Sequence, residues 1–288
     1  MDERHVERVG SGEPPPADRV VDLPDTTILP GFVDAHVHLS GTGMAIAGLD
    51  LSGARSREEA MSLVRAHATG PAEAILGQGF DETRWPDPAL PTGAELDEVT
   101  ATPVLLLRAD GYVSVANASF RSASGIEPLD GVERAGSEPT GILRGRANSA
   151  AQLWYFESLP DRVIQEAQLR AAGLAASRGV TCAQEMAIPE KRGRRDVEVL
   201  LRQAPDLPLD LVVYVADLDI GYVMNLGQAK IGGDLFLDGS IGARTAALSS
   251  PYADSDEAGS LAYHDDELAE FLHNAHLAQF QTGLHVIG

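Results

Sequence analysis

The stretch Pro30-Gly31-Phe32-Val33-Asp34-Ala35-His36-Val37-His38-Leu39 constrains this chain more than any other. In an extended strand alternate side chains share a face, so Phe32, Asp34, His36 and His38 point one way while Val33, Ala35, Val37 and Leu39 point the other. An apolar face of that kind suits a strand covered by helices. The opposite face carries two imidazoles at i and i+2, which can close on one metal ion. A chain with eight histidines also places two of them two apart by chance, so a pair of polar or buried histidines is the alternative.

Strand and helix patterns alternate through the second half. Asp161 is placed to cap a helix through Val163, Ile164, Ala167 and Leu174, and Gly179 ends it before a strand from Val180 to Met186. A helix over Asp196–Gln203 precedes Leu209–Val215, a nearly continuous apolar run of the kind buried on both faces of a parallel sheet. Another strand spans Asp234–Asp238. Asp265 caps a helix with Leu268, Phe271, Leu272, Ala275 and Phe280 in register, which Gly283 turns into Leu284–Ile287. This recurrence argues for a parallel α/β architecture.

Earlier, Ser56-Arg-Glu-Glu59 has the spacing of a capping box and opens a helix to about Ala68, leaving His67 at its edge or surface. From about 71 to 160 short apolar runs, Ala74–Leu76 and Val104–Leu107, are separated by Gly, Pro and Asp, which predicts an inserted region with short strands. Asp81, Trp85 and Tyr112 are candidates there for a substrate-binding wall; turn residues and satellite-core aromatics are the alternative. Residues up to about Asp25 read as a polar loop leading into a short edge strand over Arg19–Leu23.

At 288 residues and 44% hydrophobic content the chain can hold one large barrel or two ordinary domains. Its formal charge of −21 repels nucleic-acid phosphates and anionic membranes, so neither is expected as a partner. The single cysteine, Cys182, precludes an internal disulfide and reads as a small buried strand residue in a reducing compartment. With no signal-peptide core in Met1–His5 and no apolar run of about 18 residues, the reading is cytoplasmic. His5, His264, His273 and His276 read as surface residues. No Gly-x-Ser-x-Gly elbow supports a Ser-His-Asp hydrolase.

In order along the chain, Pro30–Leu39, Gly77-Gln-Gly-Phe-Asp-Glu82 with Trp85, Gly179-Val-Thr181, Asp238-Gly-Ser-Ile-Gly-Ala-Arg-Thr-Ala246 and His285-Val-Ile-Gly288 resemble the metal-dependent amidohydrolase superfamily. The branch they are similar to is amidohydrolase family 3, which includes enzymes similar to N-substituted formamide deformylase. The likeness runs from about Val20 onward. It implies a (β/α)8 TIM-type barrel, incomplete here with about five of eight strands, those ending near His38, Met186, Val215, Asp238 and Ile287. Residues 1–27 are then a remnant of a small flanking β-domain, and 28–288 a partial barrel with the insertion at about 71–160.

By the same resemblance His36, His38 and His285 ligate a divalent metal, zinc by the chemistry of imidazole donors. Family members often carry Lys-x-Phe-x-Asp-Gly on the fourth strand, whereas this chain has Asp234 in the place of that lysine, an oxygen donor able to bind metal directly. Asp110-Gly-Tyr112 stands where Asp-Gly-His is common. Asp238, which shares a face with Asp234 and Phe236, is a substrate-binding candidate, and Arg244 and Thr245 are candidates to hold a substrate carboxylate or carbonyl, with loop-stabilising hydrogen bonds as the alternative for these two. The implied activity is hydrolysis of a non-peptide C–N bond in a small-molecule amide or formamide. The family's general base belongs to the eighth strand and is expected beyond Gly288, so no catalytic base is assigned. A second reading is a non-catalytic fragment or complementing half with residual metal binding. Either way an open barrel edge is expected to favour self-association.

Overall fold

The strand that carries the two imidazoles, β1 (Phe32–Val37), is the first of five parallel strands in the computed structural model, which describes residues 9–11, 16–69 and 74–288. It is followed by α1 (Leu39–Ala47), β2 (Leu49–Asp50), α2 (Arg57–His67), β3 (Ile75–Phe80), α3 (Gly93–Val99), β4 (Val104–Arg108), β5 (Val113–Ala116), α4 (Ala118–Ser124), β6 (Val132–Ala135), β7 (Glu138–Arg144) and α5 (Gly145–Ser158). Regular alternation then sets in with α6 (Asp161–Ser177), β8 (Val180–Ala187), α7 (Pro189–Arg192), α8 (Arg194–Gln203), β9 (Asp210–Val215), α9 (Ile220–Asn225), β10 (Lys230–Phe236), α10 (Asp265–Leu277) and β11 (Gln281–His285).

Strands β1, β8, β9, β10 and β11 pair in that order, every pair parallel. They are the five strands counted from the pattern, and with their crossover helices they have the architecture of an incomplete α/β barrel. Val213, Val215, Ile231 and Leu235 from the sheet are buried in one cluster with Val197 and Leu200 of α8, Val223 of α9 and Phe271 of α10. Because parallel strands end on the same side, the residues at their C-terminal ends share one rim, where barrel chemistry sits.

Strands of the region expected as an insertion join β2, which precedes it, in a second, six-stranded sheet in the order β2-β3-β4-β5-β7-β6, parallel from β2 to β4 and antiparallel beyond. The short strands were expected, but helices α3, α4 and α5 were not; α5 buries Ala151, Tyr155 and Phe156 without a clean apolar stripe to announce it.

Several local expectations shift. The apolar side of β1 is not covered at its start: Val33 is 56% exposed, as is Phe32 on the other face, because β1 is an edge strand. In the separate unit of residues 1–30 no strand forms over Arg19–Leu23, where Val20, Val21 and Leu23 stand exposed without a ladder partner among the described residues. Pro160, not Asp161, is the N-cap of α6, and Asp161 instead pairs with Arg195 and Arg202. His264 caps α10 in a capping box with Glu267. Ser56 accepts the Glu59 N–H, but the Glu59 carboxylate reaches the N–H of Arg55 rather than that of Ser56. Gly283 lies inside β11, and the left-handed residue between helix and strand is Gln279. Cys182 is half-buried. No helix among the described residues is long and apolar enough to cross a membrane.

Two expectations follow from this packing. Helix α1 crosses α6 so closely at Gly43 that an added Cβ would run into the Ala167 carbonyl oxygen, whereas nothing lies near Gly53. Gly43→Ala should therefore cost roughly 1–3 kcal/mol and lower Tm by several degrees, with Gly53→Ala close to neutral, as read by thermal unfolding. The outer edges of β1 and β11 have no second ladder partner among the described residues, so the chain is expected to self-associate in light scattering coupled to gel filtration. A monodisperse monomer would show that these edges are covered.

Candidate metal centre

Three side chains from two non-adjacent strands converge at the C-terminal rim. His36 Nε2 lies 3.3 Å and His38 Nε2 3.0 Å from Asp234 Oδ2, and one possible ligand atom from each residue falls within 4.8 Å of the others. The sequence brings them there because β1 ends at Val37 and β10 runs through Asp234, both pointing toward the same rim across β8 and β9.

The tautomer of His38 follows from its second contact. Its Nδ1 is 2.8 Å from the Met186 carbonyl of β8, and since a carbonyl only accepts, Nδ1 carries the proton. Burial holds this imidazole below its ordinary pKa in spite of the Asp234 carboxylate beside it, so the ring is neutral near pH 7. Burial pushes Asp234 the other way, upward, but the imidazoles of His38, His36 and His285 around it outweigh this and hold the carboxyl below its usual range. A lone pair on His38 Nε2 thus faces an ionised carboxylate oxygen. Two acceptors opposed at 3.0 Å call for a cation between them. Asp234 Oδ1 is also buried with no hydrogen-bond partner, as is Nδ1 of His285. The donor set fits a divalent metal.

His285, at the end of β11, stands apart from the three clustered ligands. Its ring packs edge-on against Phe236, 4.8 Å between centroids, and lines the same cavity of about 480 Å³. The structure therefore assembles His36, His38 and Asp234, with His285 on the wall beside them.

Buried polar groups hold this rim from behind. Glu185 of β8, only 1% exposed, accepts the Leu39 N–H at 2.7 Å and so pins the first turn of α1 directly after His38. Burial pushes its carboxyl up to about 8, against the Arg192 charge and the Leu39 N–H. Ser40 donates to Asp196 at 2.5 Å, and Gln168 donates to both, tying α1, α6 and α8 together. The opposite wall comes from the insertion. Buried Arg108 is paired with Glu82 at 2.9 Å and Asp110 at 2.6 Å. Asn148 and Gln152 donate to the Gly111 carbonyl at 2.9 and 3.2 Å. That loop presents Tyr112, whose ring lies 5.7 Å from Phe236 and whose hydroxyl is buried with no partner. Burial pushes its pKa up to about 12, so it keeps its proton.

The other candidates take different places. Trp85 lies in the core of the insertion, its indole N–H donating to the Ala54 carbonyl at 2.8 Å and its ring against Phe80. It lines neither this cavity nor its neighbour, since an apolar ring with one donor is satisfied inside. Asp81 caps the short turn Glu82–Arg84 through Thr83 and leans on Arg108 at 3.6 Å. Arg244 is exposed at φ 57° and clasped by Asp254 at 2.7 Å. The Thr245 hydroxyl accepts the Ser240 N–H. Asp238 accepts three backbone N–H groups, from Ala247, Ile287 and Gly288, and lines an adjoining cavity of about 380 Å³. Sequence reasoning missed Glu185, Lys191 and Arg192. The signal for Lys191 was scarcity: lysine occurs only here and at Lys230.

The chain matches the profile described as Amidohydrolase family over residues 19–288. It is 27% identical to the protein LONG AFTER FAR-RED 3 of Arabidopsis thaliana over 93% of this chain and 51% of that one. It is 31% identical to N-substituted formamide deformylase of Arthrobacter pascens over 54% of this chain and 31% of that enzyme. The crystal structure of an uncharacterized metal-dependent hydrolase from Pyrococcus horikoshii OT3 superposes with a TM-score of 0.67 at 28% identity, covering 90% of this chain and 53% of that one. The chain thus spans about half the length of the Arabidopsis and Pyrococcus proteins.

The expected outcome at the centre is metal retention by the purified chain that falls at least about 100-fold in affinity in a His36→Ala/His38→Ala double variant, measured by plasma mass spectrometry after dialysis. Equal metal content in both proteins would refute the assignment.

Proposed function

We propose that this chain, which belongs to the amidohydrolase family, takes part in metal-assisted hydrolysis of a non-peptide C–N bond in a small-molecule amide or formamide. The observation that carries this reading is the pair of imidazole nitrogens set against the Asp234 carboxylate at the end of an open cavity. The likeness to N-substituted formamide deformylase supports the choice of bond. Two imidazoles and one carboxylate suit zinc, held by His36, His38 and Asp234. When bound, such a cation supplies Lewis acidity, polarising a carbonyl and lowering the pKa of water.

The chain's own residues do the rest. Met186 fixes His38 so that its unprotonated nitrogen faces the centre. The second oxygen of Asp234, without a protein partner, accepts a hydrogen bond from water and orients it. Tyr112, protonated and unpartnered, donates to the substrate carbonyl oxygen, where negative charge grows as the carbonyl is attacked. Phe236 supplies an apolar floor between them. The lone cysteine fits a reducing, cytoplasmic setting.

A panel of N-formyl and N-acyl amines, assayed by amine release from the zinc-loaded chain, tests the reading. No residue of the chain is assigned as general base, so amine release should be slow; it should need zinc, vanish in His36→Ala/His38→Ala, and fall about 10- to 100-fold in kcat in Tyr112→Phe. Zinc retained at the three residues with no amine released from any member would overturn hydrolysis by this chain and leave the metal site standing.

A further inference from the structure

The cavity at the metal centre and the one adjoining it share three residues: Tyr112, Phe236 and Lys191. Lys191 is only 9% exposed, yet among the described residues its ammonium makes no hydrogen bond and no ion pair. It is held over two aromatic faces, 4.5 Å from the Phe236 centroid and 4.9 Å from that of Tyr112. Those contacts return only part of the hydration that a buried ammonium gives up. Burial lowers its pKa to about 8, which still leaves it mostly charged at neutral pH. A buried cation with three unused donors, facing space on both sides, lacks an anion.

The surroundings indicate where that anion sits. In the adjoining cavity the Asp238 carboxylate is already occupied by three backbone N–H groups, so it does not serve Lys191. Glu190, on the same wall, is exposed to solvent. Of the other cations on that wall, Arg144 is paired with Glu133 and Arg146 is exposed to solvent. Asn148, Ser149, Thr245 and Ser260 complete a mixed polar and apolar lining, with room for a small substituent.

We propose that Lys191 is the specificity residue of a two-part substrate site, in which the metal-centre cavity takes the amide and the adjoining cavity takes a substituent whose carboxylate pairs with the Lys191 ammonium. The substrate class is then an amide bearing a carboxylate a few bonds from the scissile C–N bond, an inference that rests on the amide-hydrolysis reading above. Recognition of this kind is a charge-assisted hydrogen bond between compact groups, made where the two cavities meet.

Binding, not turnover, is the test. Titration calorimetry of the full 288-residue chain, zinc-loaded and zinc-stripped, compares N-formylglycine with the neutral N-formylglycinamide and with acetate. Wild type should prefer the acid over the amide by at least about 10-fold in both metal states, and acetate should bind more weakly than N-formylglycine. Lys191→Met should abolish the preference and Lys191→Arg should restore most of it. Equal affinity for acid and amide in wild type, a preference that survives in Lys191→Met, or acetate binding as tightly as N-formylglycine would overturn the proposal. If Lys191→Met fails to fold, the wild-type comparison decides alone. An acid preference with no amine release on the panel above would refute the hydrolytic reading and keep this site; amine release without acid preference would do the reverse.

Discussion

The hydrogen bond from His38 Nδ1 to the Met186 carbonyl decides which nitrogen of the ring meets Asp234. It exists because β1 and β8 run parallel with Val37 opposite Glu185, which brings the residue after β1 alongside the residue after Glu185. Glu185 then takes the N–H of Leu39, so strand, ligand and helix start are fixed by two consecutive residues of one neighbouring strand. A helix begun one residue earlier or later would turn the imidazole away. The parallel register is therefore a chemical constraint as well as a topological one.

Behind that contact lie costly ionisable groups: buried Glu185 and Asp196 and half-buried Arg192, the last with two guanidinium nitrogens buried and unpartnered. Such groups contribute little net stability, because desolvation offsets much of their attraction, while removing one of a set is strongly destabilising. Asp196, with Ser40 and Gln168, joins α1, α6 and α8 directly behind the rim, where a shift of an ångström would separate His38 from Asp234. Their role is positional. The same logic explains Gly43, whose missing side chain lets α1 lie against the backbone of α6.

Much of this was legible in the sequence. Period-two alternation placed His36 and His38 on one face, and the repeated strand–helix pattern marked all five parallel strands in their spatial order. What failed to show was of two kinds. Helix caps slipped by a residue where a charged side chain found a better partner elsewhere, as Asp161 did with Arg195 and Arg202. Residues such as Glu185 and Lys191 were missed because their significance is burial, and burial of a charged side chain is set by tertiary packing that no local pattern encodes. Trp85 took the second of its two readings, that of a core aromatic: its N–H found the Ala54 carbonyl and the ring went inside.

The insertion explains how a shared architecture is turned to a particular substrate. Everything that holds the metal ligands comes from the parallel sheet and its helices, while the facing wall hangs on Arg108, which clasps Glu82 and Asp110 and so sets the loop that carries Tyr112. Ser240, in the loop after β10, also reaches Asp110, joining the insertion to the strand that bears Asp234. Changes in the insertion can thus move Tyr112 relative to a centre they do not touch, reshaping the cavity without loosening the three clustered side chains. In an α/β barrel the chemistry at the strand ends and the selectivity in the loops are separable for this reason, and here the separation falls between Asp234 and Tyr112, on either side of the ring of Phe236.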